Sequence, residues 1–338
     1  MVRYRRCFMV LLLTLSWASP VLAQEPKRGA DSAPIALELA EALKAVRFDP
    51  KPPKLIRDVH YTTSNERHLR LFRDVAKELG GIQLGVGAEQ NYLLAGWSRP
   101  ELVICMDFDQ YITDIHVIYG LLFGEAKTAE ELTSWWAAES KEKFAALLEQ
   151  EVTDPQRRKV LATMHRRDGP SIARHLGRQR ANYKKLGLET WLTQPEQFDF
   201  VRGLWAQGRV IPVRGDLTGP STLKDIGAAA SRFGLPVRLF YLSNAEYYFE
   251  YRDGDFRANI AALPFDDRSV VLHTHPTKHD YMYFHHSGEN FRAWATNPKV
   301  KWFRAVKRYG EKAGDELLLE IMKVPADVLK PSPPKKKK

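Results

Sequence analysis

Two glycines close the short run Gly81-Ile82-Gln83-Leu84-Gly85-Val86-Gly87, and a helix-forming stretch begins directly after them, near Glu89. A strand that ends in a glycine turn and enters a helix leaves backbone amides facing open space, where a ligand can approach them. The next apolar run, Glu101 to Asp107, ends on an acid. A carboxylate in that place can accept hydrogen bonds from a ribose diol, so Gly85, Gly87 and Asp107 are candidate contacts for a nucleoside. A dinucleotide fits less well. Glu89 stands where the third glycine of that motif belongs, and a carboxylate there repels a pyrophosphate. It suits a ligand with a positive end. The competing reading of Glu89 is an acid favourable with the dipole of the first helical turn.

A second constellation is Tyr241-Leu242-Ser243-Asn244-Ala245-Glu246-Tyr247-Tyr248, at the end of another apolar run. Open parallel sheets bind ligands at the carboxyl ends of their strands. There Asn244 can donate and accept, Glu246 is a candidate base, and Tyr247 offers a flat wall. The alternative is a helix cap, Ser243 or Asn244, followed by core aromatics. Ser64-Asn65-Glu66 echoes this motif and is read both as the cap of a following helix and as a second approach to the same mouth. The third constellation is histidine: His273, His275, His279, His285 and His286 are five of the ten in the chain. His273 and His275 share a face if their strand continues, and His279 or Asp280 could complete a zinc site. The segment looks like the HxHP core of metal-dependent isopeptidases, but Ser287 lies too far along for that pattern. The preferred reading is polar loop residues that line a ligand mouth with Tyr281 and Tyr283, with no metal.

The elements that must position these groups alternate. Leu69, Leu71, Phe72, Val75, Ala76 and Leu79 have helical spacing and stop at Gly80-Gly81. Strands are predicted at 81–87, 101–107, 210–213, 237–242 and 269–274, and helices near 89–99, 221–233 and 256–262. Alternating strand and helix implies right-handed crossovers and a parallel, doubly wound sheet. Residues from about 110 to 208 contain no convincing strand, and Trp135, Trp136, Phe144, Leu147, Leu148, Trp191 and Trp205 supply apolar faces there. The prediction is one α/β domain, 55–326, with a helical insertion after its second strand.

The ends read differently. Arg3, Arg5 and Arg6, the apolar run Phe8 to Leu15 and the small-residue site Val21-Leu22-Ala23 make residues 1–23 an export signal, cleaved after Ala23 to give a periplasmic or secreted protein. Residues 24–54 read as a leader with one amphipathic piece, Ile35 to Val46. Residues 327–338 read as a disordered Pro/Lys tail, a solvated terminus or a weak attachment to anionic envelope surfaces. Cys105 is the one cysteine left after cleavage and reads as a buried small hydrophobe, so no internal disulfide can form. The formal charge is +10, partly from that tail. The basic stretch 151–185 has few aromatics among its arginines, which argues against a nucleic-acid groove. It reads as a solvated helix face, with steering of anionic substrates as the alternative.

Together these residues resemble class I S-adenosylmethionine-dependent methyltransferases. More narrowly, they are similar to a bacterial family of methyltransferase-like proteins without an assigned activity. The resemblance rests on Ser64-Asn65-Glu66, on Gly85-Val86-Gly87-Ala88-Glu89-Gln90-Asn91-Tyr92, on Arg99-Pro100-Glu101 leading to Asp107, and on Tyr241 to Tyr247. It implies a Rossmann-like fold with S-adenosylmethionine as cofactor. Gly85, Gly87 and Asp107 would then meet its methionine and ribose ends, Asp216 would lie near the adenine, and Ser243 to Glu246 would face the acceptor. Gln83 departs from the acid usual before the glycines, and the Pro-Pro-Tyr pattern of base-modifying members is absent. The resulting expectation is an exported protein that binds an adenosine-type small molecule, with methyl transfer to an acceptor. The alternatives are a non-catalytic extracytoplasmic binding protein and a metal-dependent hydrolase built on His273 to His286.

Overall fold

Val103 and Cys105 project to one face of their strand, and Leu102, Ile104 and Met106 to the other, and all five are buried. A strand apolar on both sides needs cover on both sides, which places it inside a sheet with helices above and below. The computed structural model describes residues 42–325 together with Val328 and has this architecture. Its strands are β1 (Ile82–Val86), β2 (Leu102–Asp107), β3 (Val210–Arg214), β4 (Val237–Tyr241), β5 (Val270–Pro276), β6 (Tyr281–Ser287), β7 (Gly310–Ala313) and β8 (Asp315–Ile321). They form one sheet in the order β3-β2-β1-β4-β5-β6-β8-β7. The first five are parallel. β6 runs antiparallel to β5, β8 parallel to β6, and β7 antiparallel to β8. The fold is therefore α/β with a mixed, mainly parallel sheet, and its core divides into one layer on each face.

The helical insertion lies where the sequence puts it. Between β2 and β3 come α2 (Gln110–Glu125), α3 (Ala129–Trp135), α4 (Lys141–Glu151), α5 (Pro155–Lys185) and α6 (Pro195–Ala206), with no strand among them. They follow α1 (Gln90–Ser98), which joins β1 to β2. The seven aromatic and leucine anchors predicted for the insertion are all buried in the layer that covers this face. α5 starts on a complete cap: Asp154 accepts from the Gln156 amide and Pro155 occupies the first turn. The other face carries α7 (Thr222–Arg232), α8 (Phe256–Ala262) and α9 (Gly288–Thr296).

Three expectations change. Ser64-Asn65-Glu66 does not cap a long helix, because only short turns form at Leu69–Phe72 and Arg73–Ala76. The histidine segment is a hairpin of two strands rather than a loop. The domain also begins earlier than residue 55: Leu43 and Val46 are buried against the α7–α9 layer, and Arg47 grips Asp225 at 2.7 Å. The export signal, most of the leader including Ile35, and the Lys335 to Lys338 tail lie outside the described residues.

Asp49 explains why the early segment belongs to the fold. It is 2% exposed and accepts from the backbone amides of Ser221 (2.8 Å), Thr222 (3.2 Å) and Asp216 (3.0 Å). One carboxylate thus caps α7 and pins the loop that follows β3. A side chain at Gly219 would collide with it, since a Cβ there would stand 2.3 Å from the Asp49 carboxyl. Asp49→Ala leaves one buried and two partly buried N–H groups without that acceptor, and urea denaturation should show a loss of about 2–4 kcal/mol. A change below about 0.5 kcal/mol, the range of a surface substitution, would contradict this role.

Candidate functional site

The turn between β1 and α1 is held from behind by side chains the sequence reading did not single out. The Asn91 amide donates to the carbonyls of Val86, Gly87 and Ala88, at 3.1–3.3 Å. His116 on α2 places Nε2 at 2.8 Å from the Gly87 carbonyl and Nδ1 at 2.6 Å from the Tyr92 hydroxyl. Burial lowers the His116 pKa to about 4, so at neutral pH the ring donates from Nε2 and accepts at Nδ1. The two glycines then separate in role. A Cβ on Gly85 would lie 1.8 Å from Asn91 Oδ1, so Gly85 makes room for Asn91 and does not face a ligand. Gly87 lines the open cleft with φ +92°, a conformation glycine adopts without strain.

Asp107 ends β2 beside this turn and lines the same cleft. It is 7% exposed and accepts from the Asp109 amide at 2.9 Å. Burial raises its pKa to about 7, and the amides of Asp109, Gly87 and Phe108 offset only part of that rise. Asp109 next to it is engaged, capping α2 through the Tyr111 amide and bonding His60 at 2.6 Å. Gln90 lines the cleft as well, 5% exposed, and its Oε1 has no hydrogen-bond partner among the described residues. Asp216, just past the end of β3 beside β2, lines the cleft too, and its Oδ1 accepts from the amide and hydroxyl of Thr218.

Glu89 is placed differently from the expectation. It is 6% exposed and accepts from the Ser64 amide at 3.1 Å and from His175 Nε2 at 2.7 Å. Its charge is spent on holding the 64–66 segment and the long helix α5 together, so it does not meet the positive end of a ligand. The glutamate that does line the cleft is Glu66. It accepts from Tyr241 Oη (2.5 Å), Ser64 Oγ (2.7 Å), Thr274 Oγ1 (2.8 Å) and Ser243 Oγ (2.9 Å). Ser243 adopts φ +50°, a left-handed conformation costly for a residue with a Cβ, and this bends the chain out of β4 toward the cleft.

The motif after β4 splits across its short turn, Ala245–Tyr247. Asn244 and Tyr247 line the cleft, and Tyr247 packs edge-on against Tyr248 and His275. Glu246 turns the other way. It is 5% exposed, bonds Tyr251 and His273 Nδ1, and is no base for a ligand in the cleft. His273 and His275 do share a face, both against Phe303. His273 continues to His286, Nε2 to Nε2 at 2.7 Å, inside the core. His279 is exposed, and Asp280 pairs with His68. Among the described residues no three His, Cys, Asp or Glu side chains are placed to hold a metal ion.

The cleft has a volume of about 860 Å³ and opens at the carboxyl ends of β1, β2 and β4. That is room for a nucleoside with a substituent. Its chemistry is acceptor-rich on one side, through Asp107, Asp216 and the free Gln90 oxygen, and aromatic at the mouth, through Tyr61, Tyr247, Tyr248 and Tyr281. Its lining lysines are Lys54, which pairs with Asp58, and Lys278, and among the described residues it holds no zinc set.

The raised pKa of Asp107 has a stability consequence of definite sign. Between the ordinary value of 3.8 and about 7 the folded protein holds a proton that the unfolded chain has released. Stability from this group is therefore full below 3.8 and is lost as pH rises through about 7. His116 works in the opposite sense, favouring the fold as pH rises from about 4 to 6.5, so the two must be separated by substitution. Denaturation of wild type and Asp107→Asn should show the variant gaining on wild type steadily from pH 4 to pH 7. A pH-independent difference would contradict the buried, protonated state.

The comparisons with known proteins bear on the whole of this frame. No curated protein matches the chain significantly. A match to one family spans residues 61–322, from the segment before Glu66 to the end of β8, and so takes in every element that lines the cleft after residue 60. The chain belongs to the family described as a domain of unknown function, DUF7790.

Proposed function

We propose that the protein binds an adenosine-type ligand, such as S-adenosylmethionine, in the cleft at the carboxyl edge of a Rossmann-like sheet. The observation that carries the reading is the juxtaposition of Gly87 and Asp107. A turn with positive φ ends one strand, and a buried carboxyl ends the neighbouring one, both on the same cleft wall. The parallel order β3-β2-β1-β4-β5 puts the wall at the point where strand order reverses, where open α/β sheets take their ligands. Asp107 would accept from the ribose hydroxyls, the unpartnered Gln90 oxygen would take a donor from the ligand, and Asp216 would lie toward the base. S-adenosylmethionine supplies an electrophilic methyl group when bound, and the contribution of this chain to transfer would be the positioning of an acceptor at the tyrosine-lined mouth.

A second reading, a non-catalytic extracytoplasmic binding protein, is favoured by one observation. Glu246, the carboxylate that should serve as a base, faces His273 in the core and not the cleft. The basic start, apolar run and Ala23 site of residues 1–23 support export, and hence either reading outside the cytoplasm. The metal-dependent hydrolase gains no support from the paired, buried His273 and His286.

Calorimetry of the protein beginning at Gln24 tests the proposal against S-adenosylmethionine and its demethylated product. Hydrogen bonds to a charged group contribute about 1.5–3 kcal/mol, so above pH 7, where Asp107 is ionised, Asp107→Ala should weaken binding about tenfold or more. Gly87→Val should weaken it too, by blocking the approach to the turn, while Glu246→Gln should leave affinity unchanged. Circular dichroism checks that each variant folds. Absence of binding to wild type at about millimolar ligand, a ceiling of roughly −4 kcal/mol, would remove the adenosine reading.

A further inference from the structure

A second hollow, of about 410 Å³, lies between the segment after Glu66 and the helix α5. Arg67, Arg70 and Arg178 line it with His68, His175 and Gln179, and no acidic residue is among its lining. Three guanidinium groups around one hollow repel one another, and the nearby acids do little to relieve this. Asp315 reaches Arg70 only at 4.0 Å. Asp280 is on the far nitrogen of His68, at 3.2 Å. Glu89 lies behind His175, which is 8% exposed, and is already engaged with the Ser64 amide. Among the described residues no carboxylate pairs with Arg67 or Arg178. An arrangement of this kind is stabilised by an anion that bridges the cations, and the planar fork of arginine matches the oxygens of phosphate and carboxylate groups.

The geometry points to an anion-binding site in this hollow, for the phosphate or carboxylate group of a small molecule. Arg67 lines both this hollow and the larger cleft, so the anion would sit against the cleft wall that carries Glu66. The basic stretch 151–185 thereby acquires a use for part of its charge: Arg178 and His175, one turn apart on α5, face the site, while the remaining charges cover the solvent side of the helix. The inference stands apart from the adenosine reading, because none of its residues touches Gly87 or Asp107.

Titration calorimetry with inorganic phosphate and with citrate, at low ionic strength, tests it. Wild type should bind at least one of the two saturably, and which one binds separates a phosphate site from a carboxylate site. R67Q/R178Q should weaken that binding about tenfold or more, because both bridging forks are lost. K299Q/K301Q removes the same charge from exposed positions elsewhere and should leave it unchanged, and so should Asp107→Ala. Saturable binding to neither probe up to about 20 mM would overturn the site, since that is weaker than any built anion site requires. An equal loss in the two double variants would overturn it as well, by reducing the effect to net charge. Both arginines are exposed, so the variants are expected to fold, and circular dichroism verifies this.

Discussion

A carboxyl group taken out of water must have its oxygens satisfied by donors, and Glu66 meets that condition with four hydroxyl groups from three separate stretches of chain. Tyr241 and Ser243 come from the end of β4, Thr274 from β5, and Ser64 from the segment that Glu66 itself belongs to. The segment is thereby fixed across the open edge of the sheet. Its Ser64 amide in turn donates to Glu89, and Glu89 receives His175 from the insertion. One linked set of hydrogen bonds thus joins the early segment, the β1–α1 turn, the strand ends and α5. The cleft exists because these buried acids hold its walls apart and in register.

The same logic repeats around the rim. Asp49 organises the loop that carries Asp216, and Asp109 caps α2 while holding His60 over Tyr111 at 4.2 Å between ring centres. Each of these carboxylates is committed to the framework. Asp107 differs, because burial exceeds what its backbone donors return, and its proton affinity rises to near neutrality. A group poised in this way, next to a polar side chain with an unused oxygen, is the feature of the cleft with most to gain from a ligand.

The β1–α1–β2 unit could be read from the sequence because its signals are local: apolar runs, a glycine pair, and an acid at the end. The parallel core and the place of the insertion follow from the same periodicities. What escaped was set by contacts distant along the chain. Glu66 meets Tyr241 across 175 positions, and nothing in Ser64-Asn65-Glu66 itself discloses that partner. Glu246 sits among residues that do face the cleft, and only the tight turn at Ala245–Tyr247 sends it the other way. The strand Tyr281–Ser287 was missed because His285 and His286 interrupt its aromatic run, and β7 because Gly310–Ala313 is short, polar and at the sheet edge. Gly85 has the sequence signature of a ligand-facing glycine but serves Asn91. Glycine beside a turn is ambiguous until the side chain that needs the space is known.

In the proposed function Asp107 anchors the ligand by its ribose. The most direct measurement is a crystal structure of the protein grown with saturating demethylated S-adenosylmethionine. The account predicts the ligand between the Gly87 turn and Asp216, with both ribose hydroxyls in hydrogen-bond range of the Asp107 carboxyl. A cleft without the ligand at saturation, or a ligand whose ribose lies away from Asp107, would contradict it.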